Sequence, residues 1–227
     1  MVFEHNPVME KEVLQYLIQR NDGNYLDCTL GGGGHAEKIL AEIAPKGFLI
    51  GLYQDIEALE HARIVLKPFA QRALIVKSNF CKVEKVLHDI GIDALSGILF
   101  DLGVSSYQFD RPERGFSFSK DNRLDMRMDL SQILDAQFVI NHYSEDELWQ
   151  IFSQFGEERF SKSIARLIVR ERKKQSIKTT IELTQIIKRV YARLKKNKWR
   201  THPATRVFQA LRIEVNSELK KLQKSLK

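Results

Sequence analysis

Four consecutive glycines, Gly31 to Gly34, constrain the folding of this chain more than any other stretch. They lie between an apolar run that contains Asp27 and a helical pattern that opens at His35. The chain has 12 glycines in 227 residues, so a cluster of four answers a local need. Glycine adopts positive φ and lets a ligand approach the main chain, and free N–H groups at a helix start attract polar ligand atoms. The run predicts either a cofactor-binding turn or a plain flexible turn.

Strand and helix patterns alternate on both sides of this turn. Short apolar runs predict strands at 24–30, 48–53, 73–76 and 97–101. Amphipathic patterns predict helices at 8–20, 35–44, 55–69 and 83–90. Alternation of this kind is typical of a parallel sheet with right-handed crossovers. We therefore predict an α/β fold with a Rossmann-like sheet.

The pattern changes after the fourth predicted strand. Residues 102–129 form a long polar and aromatic segment with weak periodicity, and a loop of that length in a compact protein is usually functional or disordered. Its phenylalanines and methionines argue against disorder. Only helices are predicted downstream, at 133–141, 145–155, 158–174, 180–194 and 203–226. Pro203 fits the first turn of the last helix.

Charge is distributed unevenly along the chain. Residues 1–150 contain 15 Lys/Arg and 23 Asp/Glu, a net charge of −8, whereas residues 151–227 contain 21 and 6, a net charge of +15. A segment this basic favours a polyanionic partner, which we interpret as nucleic acid. The alternative is an ordinary solvated helical face. The run Lys195–Arg200 is the basic stretch that we expect to form an exposed loop.

Other sequence features exclude some classes of protein. No run of about 18 apolar residues is present, so we expect no membrane span. The first residues lack the basic and apolar regions of a signal peptide. The two cysteines, Cys28 and Cys81, fit no metal-binding spacing and suggest a reducing compartment. We expect a cytoplasmic protein without a metal site.

Ligands of open α/β sheets bind beyond the carboxyl ends of the strands, where five side chains of this sequence are candidates. Asp101 ends an apolar strand, where a carboxylate needs partners, and we predict a functional role for it. Phe80 is placed either to pack on an adenine face or to fill the core. Asp55 either binds ribose hydroxyls or caps its helix, and Tyr53 occupies the strand end where an acid is expected. His35 is a helix cap, a ligand or a bystander.

Six motifs follow one another along the chain: DCTLGGGGH (27–35), FDLGVSSYQFD (100–110), ERGFSF (113–118), LDMRMD (124–129), GEERF (156–160) and HPATRVFQALRIEVNSEL (202–219). On these motifs the chain resembles the bacterial ribosomal small-subunit methyltransferase H family, also called MraW. The resemblance implies S-adenosylmethionine-dependent methylation of the exocyclic N4 of a cytidine in 16S rRNA. It also implies a methyltransferase sheet with an all-helical domain inserted after the fourth strand.

The resemblance also assigns parts of the chain. It implies a methyltransferase core at 1–103, a substrate-binding loop and helical insertion at 104–200, and a helix returning to the core at 201–227. The segment 102–129 would line the methyl-transfer pocket, and the basic helices would contact rRNA of the small ribosomal subunit. No catalytic base is assigned. The implied contacts with S-adenosylmethionine are Gly33, Gly34, His35, Phe80, Asp101 and Gln108.

The sequence departs from the family pattern in three places. Tyr53 replaces an acid of a Gly-Ile-Asp-x-Asp pattern, which leaves Asp55, and Cys28 replaces a usual glycine. The sequence ends at Lys227, before the GGR…SFHSLEDR segment that supplies the family's remaining strands. We therefore expect an unpaired edge at the fourth strand, in a truncated product or a paralogue with reduced activity.

Two other functions compete with the methyltransferase. A nicotinamide-dependent oxidoreductase also uses a glycine turn and a ribose-binding acid, but it gives no reason for the basic C-terminal segment. A non-catalytic rRNA-binding protein is favoured by Tyr53 and by the absent strands.

Overall fold

The computed structural model describes residues 7–192 and 201–226. The chain divides into two compact units. We call Met1–Tyr107 with Lys220–Lys227 the sheet unit and Gln108–Leu219 the helical unit.

The sheet unit contains a four-stranded parallel sheet in the order β3-β2-β1-β4. Leu26 pairs with Ile50 on one side and with Ile98 on the other. This order is that of the first four strands of the doubly wound fold, so the α/β prediction is confirmed. The expectation that the family's other strands are absent stays a prediction. The strands are β1 (Asn24–Asp27), β2 (Phe48–Tyr53), β3 (Ala73–Lys77) and β4 (Gly97–Leu99).

Apolar side chains of the central strands are buried on both faces of the sheet. Tyr25 and Leu49 belong to one buried cluster, whereas Leu26 and Ile50 belong to another. Burial of both faces is the usual state of a parallel sheet covered by helices. Four helices belong to this part of the chain: α1 (Glu10–Leu17), α2 (Gly34–Glu42), α3 (Ile56–Val65) and α4 (Val83–Asp89).

The structure shortens two of the predicted strands. β2 has the predicted bounds, but β1 ends at Asp27 rather than at residue 30, and β4 ends at Leu99 rather than at Asp101. The chain leaves β1 because the Asp27 carboxylate accepts a hydrogen bond from the main-chain N–H of Thr29 at 2.9 Å, which forms a turn. This turn places the polar residues of the first motif beyond the sheet.

The helical unit contains a long, mostly irregular segment between Phe109 and Ala136, followed by helices. Helix α7 begins with a capping box in which Ser144 and Glu147 bond each other's main-chain N–H groups. Two further helices, α5 (Ser106–Phe109) and α11 (Glu218–Ser225), contain the unit boundaries. The helices within the unit are α6 (Ala136–His142), α7 (Glu145–Gln154), α8 (Ser161–Arg172), α9 (Thr180–Ala192) and α10 (Thr205–Asn216).

The single helix predicted over 203–226 is wrong. The segment forms α10 and α11, which are separated by Ser217 at a φ of 50°. Helix α10 begins at Thr205 rather than at Pro203. The left-handed conformation of Ser217 ends α10, and Arg212 joins the two helices through an ion pair with Glu218 at 2.8 Å. Helix α10 lies within the helical unit, and the assignment of 201–227 to a helix returning to the core stays a prediction.

Three sequence expectations concern absence or exposure. The predicted basic loop Lys195–Arg200 lies outside the described residues. Within residues 7–192 and 201–226, no helix is both long and apolar enough to cross a bilayer. The same residues contain no cluster of three His, Cys, Asp or Glu side chains that could hold a metal ion.

Candidate functional site

The glycine run forms a tight turn between β1 and α2. Gly31 has a φ of 51° and Gly33 a φ of 92°, values that residues other than glycine rarely adopt. The N–H of Gly33 donates to the carbonyl of Leu30 at 2.8 Å, and Gly33 is the N-cap of α2. The helix therefore begins at Gly34, one residue before the predicted start at His35. The turn has a defined conformation, and its glycines place main chain without side chains at the start of a helix.

Thr29 connects the ends of β1 and β4. Its hydroxyl donates to the carboxylate of Asp27 at 3.2 Å and accepts from the main-chain N–H of Asp101 at 2.8 Å. Sequence analysis missed this residue, although the Asp-x-Thr spacing of a polar turn could have found it. The hydroxyl therefore fixes the main chain of Asp101 beside the glycine turn.

The two carboxylates at this edge have pKa values that shift in opposite directions. Burial raises the pKa of Asp27 from 3.8 to about 6. The hydrogen bonds from Thr29 and the electrostatic effect of His35 lower this pKa but do not cancel the effect of burial. Asp101 keeps about half of its side chain exposed, and the His35 side chain lowers its pKa. At neutral pH the Asp101 carboxylate is therefore ionised and accessible, as a ligand for a polar or cationic group must be.

His35 lies beside this carboxylate, but the hydrogen bonding of its side chain is incomplete. Its Nε2 is 3.5 Å from Oδ2 of Asp101, which is the long limit of a hydrogen bond. The nitrogen is buried and has no hydrogen-bond partner among the described residues. A buried polar atom without a partner is costly and often marks a binding site. The pair can therefore accept a polar group of a ligand at the glycine turn.

The ends of β2 and β3 provide amides rather than an acid. Tyr53 is 7% exposed and belongs to the buried cluster of the sheet unit. Asp55 is buried, and its Oδ1 accepts from the N–H of Glu57 at 3.1 Å, so the helix-cap interpretation is confirmed. Gln54 accepts from the amide of Asn79 at 2.7 Å. This pair joins the two strand ends.

The other two predicted cofactor residues lie in different units. Phe80 belongs to a 3₁₀ turn after β3 and packs edge-on against Phe100, with ring centroids 5.8 Å apart. It is partly buried against the cluster that contains Leu26, as the core interpretation requires. Gln108 is fully buried in α5 and belongs to the helical unit. In contrast, Gly33, Gly34, His35 and Asp101 come together at one edge of the sheet.

Residues of other motifs form buried hydrogen bonds inside the helical unit. The Asn216 side chain accepts from the N–H of Met128 and donates to the carbonyl of Met126, each at 2.8 Å. It thereby attaches the LDMRMD segment to α10. In the GEERF motif, the Glu158 carboxylate accepts from the hydroxyl of Tyr191 at 2.7 Å and from the N–H of Phe160 at 2.9 Å. These buried bonds give the motifs a structural role.

Comparison with known proteins gives consistent matches. The model of a family described as the MraW methylase family matches residues 2–227. A protein of Geotalea daltonii named "Ribosomal RNA small subunit methyltransferase H" is 49% identical over 226 residues, covering 99% of this chain and 72% of the relative. A relative of the same name from Carboxydothermus hydrogenoformans is 48% identical over 227 residues, covering 100% of this chain and 71% of the relative. The relative of that name from Citrifermentans bemidjiense is 49% identical, with coverages of 99% and 72%.

Proposed function

Because the chain belongs to the MraW methylase family, we propose that it is an S-adenosylmethionine-dependent enzyme that methylates the N4 amine of a cytidine in 16S rRNA. One observation carries the proposal: the rigid glycine turn lies at the same sheet edge as the His35–Asp101 pair. In doubly wound sheets this edge is where nucleoside cofactors bind. The names of the relatives supply the substrate, rRNA of the small ribosomal subunit.

The residues at the edge fit the proposed cofactor. Gly33 and Gly34, at the start of α2, would contact its methionine part, and the buried Nε2 of His35 can bond a polar group there. The ionised carboxylate of Asp101 suits a hydroxyl or a cationic group. The resemblance assigns Phe80 to the cofactor, which stays a prediction because the ring packs against the core. The amides of Gln54 and Asn79 provide the polar groups for the ribose that Tyr53 does not supply. The resemblance assigns Gln108 to the same cofactor, which stays a prediction.

The reaction requires mainly orientation from the protein. The cofactor, when bound, supplies a methyl group made electrophilic by a positively charged sulfur. The exocyclic amine of cytosine is a weak nucleophile because its lone pair is delocalised into the ring. The chain must hold that amine in line with the methyl group and let its proton leave, and positioning alone supplies a large part of such rate enhancements. We expect the target base to leave its stack and segment 102–129 to line the pocket.

Methyl transfer to ribosomal subunits tests this function. The purified chain is incubated with methyl-labelled S-adenosylmethionine and with small subunits from a strain that lacks the modification. We expect label in 16S rRNA, recovered as N4-methylcytidine after digestion to nucleosides. Label on another base, or on no RNA, would contradict the proposal.

A non-catalytic rRNA-binding protein is the second candidate. It is favoured by Tyr53, because a tyrosine buried in the core replaces the acid expected at the end of β2. Calorimetry with S-adenosylmethionine separates the two functions. No detectable heat at millimolar cofactor, together with intact rRNA binding, would favour this candidate.

A further inference from the structure

We propose that the exposed face formed by α7 and α8 is a docking surface for single-stranded rRNA. Trp149 would stack on a base, while Arg159, Lys162, Arg166 and Arg170 would hold phosphates. We call these five residues the α7–α8 face. The inference rests on the proposed function, since that function supplies RNA as the partner, and it names the surface that the RNA occupies.

The basic residues of α8 lie on one exposed stripe. Lys162, Arg166 and Arg170 follow one another at intervals of four residues, which places them on the same side of the helix. They span about 12 Å along the helix axis. The opposite side packs into the core of the unit through Ile164, Ala165 and Ile168. Residues 159–174 contain seven Lys/Arg and one Glu, so the stripe lies in a strongly positive segment.

Trp149 adds an aromatic surface to the stripe. Its indole is 38% exposed on α7, and the ammonium of Lys162 lies 5.3 Å from its ring centroid. Arg159 lies 5.2 Å from the centroid of Phe160 in the same way. Aromatic side chains interleaved with cations are the usual platform for unpaired bases, which stack while the backbone follows the charges. The flexible Lys162 side chain can move to a phosphate and leave the ring to a base.

Two cations of the face lie near carboxylates. Arg166 is 3.4 Å from Glu145, and both side chains are exposed. Arg170 is 3.4 Å from Glu171, which also pairs with Lys174 and Arg189 at 3.1 Å each. The exposed Arg166–Glu145 pair contributes little, so a phosphate can displace it. The Glu171 side chain is only 15% exposed, and its shorter contacts are with Lys174 and Arg189 rather than with Arg170. Within the described chain, no carboxylate lies within 4.0 Å of the Lys162 ammonium.

The division into units supports a polyanionic partner here. The helical unit contains 22 Lys/Arg and 15 Asp/Glu, a net charge of +7, and the sheet unit contains 14 of each. The helical unit therefore carries the whole net charge of the chain. An acidic protein segment would also be attracted to this charge, but it gives no reason for an exposed indole within the stripe.

Fluorescence tests the role of Trp149. The chain has two tryptophans, so Trp199→Phe leaves Trp149 as the reporter. We expect a single-stranded RNA oligonucleotide of mixed sequence to quench its emission. We expect Trp149→Ala to weaken binding of the labelled oligonucleotide about tenfold, as loss of one stacked base would, and Trp149→Phe to restore most of the affinity. Unchanged emission on saturation, or full affinity in Trp149→Ala, would refute stacking.

Salt dependence tests the phosphate contacts. The triple variant Lys162→Gln, Arg166→Gln, Arg170→Gln should bind the oligonucleotide at least about tenfold more weakly, and the slope of log affinity against log salt should fall by about 2. The matched control, Lys46→Gln, Lys67→Gln, Lys85→Gln, removes the same charge from exposed positions of the sheet unit. It should change the affinity less than about twofold. Equal losses in the two triples would refute a specific surface and indicate general charge attraction.

Methyl transfer separates failure of this inference from failure of the proposed function. If the wild-type chain transfers no methyl group to small subunits, the proposed function fails. If it does, we expect the α7–α8 triple variant to raise KM for the subunits about tenfold with kcat unchanged, because the face contributes binding of RNA and no reacting group. Wild-type KM and RNA affinity in that variant would overturn the inference. An acidic protein segment would then be the favoured partner of the face. Circular dichroism checks that each variant is folded.

Discussion

At the scale of single residues, Thr29 organises the candidate site. One hydroxyl connects the buried carboxylate of Asp27 to the main chain of Asp101. The two carboxylates then differ in function because their surroundings differ: Asp27 is buried, and Asp101 is half-exposed beside His35. We infer that Asp27 stabilises the turn and that Asp101 meets the ligand.

Replacement of Asp101 by asparagine should weaken cofactor binding. Asparagine keeps the size of the side chain and the main-chain bond to Thr29, but it loses the charge. A hydrogen bond to a charged group contributes about 1.5–3 kcal/mol, so we expect S-adenosylmethionine affinity to fall at least about tenfold in calorimetry. Asp89→Asn, at the exposed end of α4, is the control. Equal affinity in both variants would remove Asp101 from the cofactor site.

Replacement of Asp27 by asparagine should change the dependence of stability on pH. The folded state raises the pKa of Asp27 from 3.8 to about 6, so folding favours the protonated carboxyl. The free energy of unfolding should therefore fall as pH rises from about 4 to about 6 and stay level above that range. Asp27→Asn should remove this fall and be more stable at neutral pH by up to about 3 kcal/mol.

Urea denaturation at several pH values measures the effect of Asp27→Asn. The exposed Asp89→Asn should keep the wild-type pH profile. A wild-type profile in Asp27→Asn as well would show that another group causes the fall in stability.

At the scale of elements, the entry into α2 depends on backbone conformation. Gly33 is the N-cap of that helix and has a φ of 92°, a region that costs other residues about 1–2 kcal/mol. We expect Gly33→Ala to lose about that much stability and, because the turn shifts, also to weaken S-adenosylmethionine binding.

Gly91→Ala is the matched control for this prediction. Gly91 has a φ of 69° after α4, and a Cβ added there meets no atom within 4 Å. It should lose similar stability but bind the cofactor as the wild type does. If Gly33→Ala also binds normally, the turn does not contact the cofactor.

Helix α10 is joined to the LDMRMD segment mainly through one amide. Asn216 is 1% exposed and bonds the main chain of Met126 and Met128. Its replacement by alanine removes two buried hydrogen bonds to main-chain groups, at about 1–3 kcal/mol each, so we expect a loss of about 3 kcal/mol. Chemical denaturation measures the loss, with the exposed Gln185→Ala of α9 as the control. A change below about 0.5 kcal/mol would show that the bonds to Asn216 are replaceable.

At the scale of the whole molecule, the net positive charge and the glycine turn lie in different units. The sheet unit carries the glycine turn and no net charge, and the helical unit carries a net charge of +7. The two binding activities should therefore respond differently to salt.

Salt should weaken rRNA binding far more than cofactor binding. Between about 50 and about 200 mM salt, a protein with several phosphate contacts loses orders of magnitude in affinity. We expect that loss for a labelled rRNA fragment in fluorescence anisotropy. Calorimetry of S-adenosylmethionine over the same range should show a change of less than about threefold. Parallel losses would indicate that the cofactor site itself depends on exposed charges.

The sequence by itself determined the features that depend on neighbouring residues. Hydrophobic period and turn chemistry predicted the order of strands and helices and the bounds of β2, and they offered the cap at Asp55 as one of two interpretations. The motifs also predicted the family, because they lie along nearly the whole chain. Local patterns suffice here, since strands, helices and caps are selected by side chains a few residues apart.

Only the tertiary structure decided which distant residues meet. Thr29 and Asp101 are 72 positions apart in the chain, and Met128 and Asn216 are 88 apart. No local pattern predicts these bonds, because parallel pairing of β1 and β4 and the packing of α10 create them. The burial of Tyr53 and the break at Ser217 were also decided by tertiary packing. The Tyr53 ring is buried in the core of the sheet unit. The left-handed conformation of Ser217 lets the chain turn between two helices. The site is therefore encoded as separate motifs and becomes one arrangement only when the strand ends share an edge.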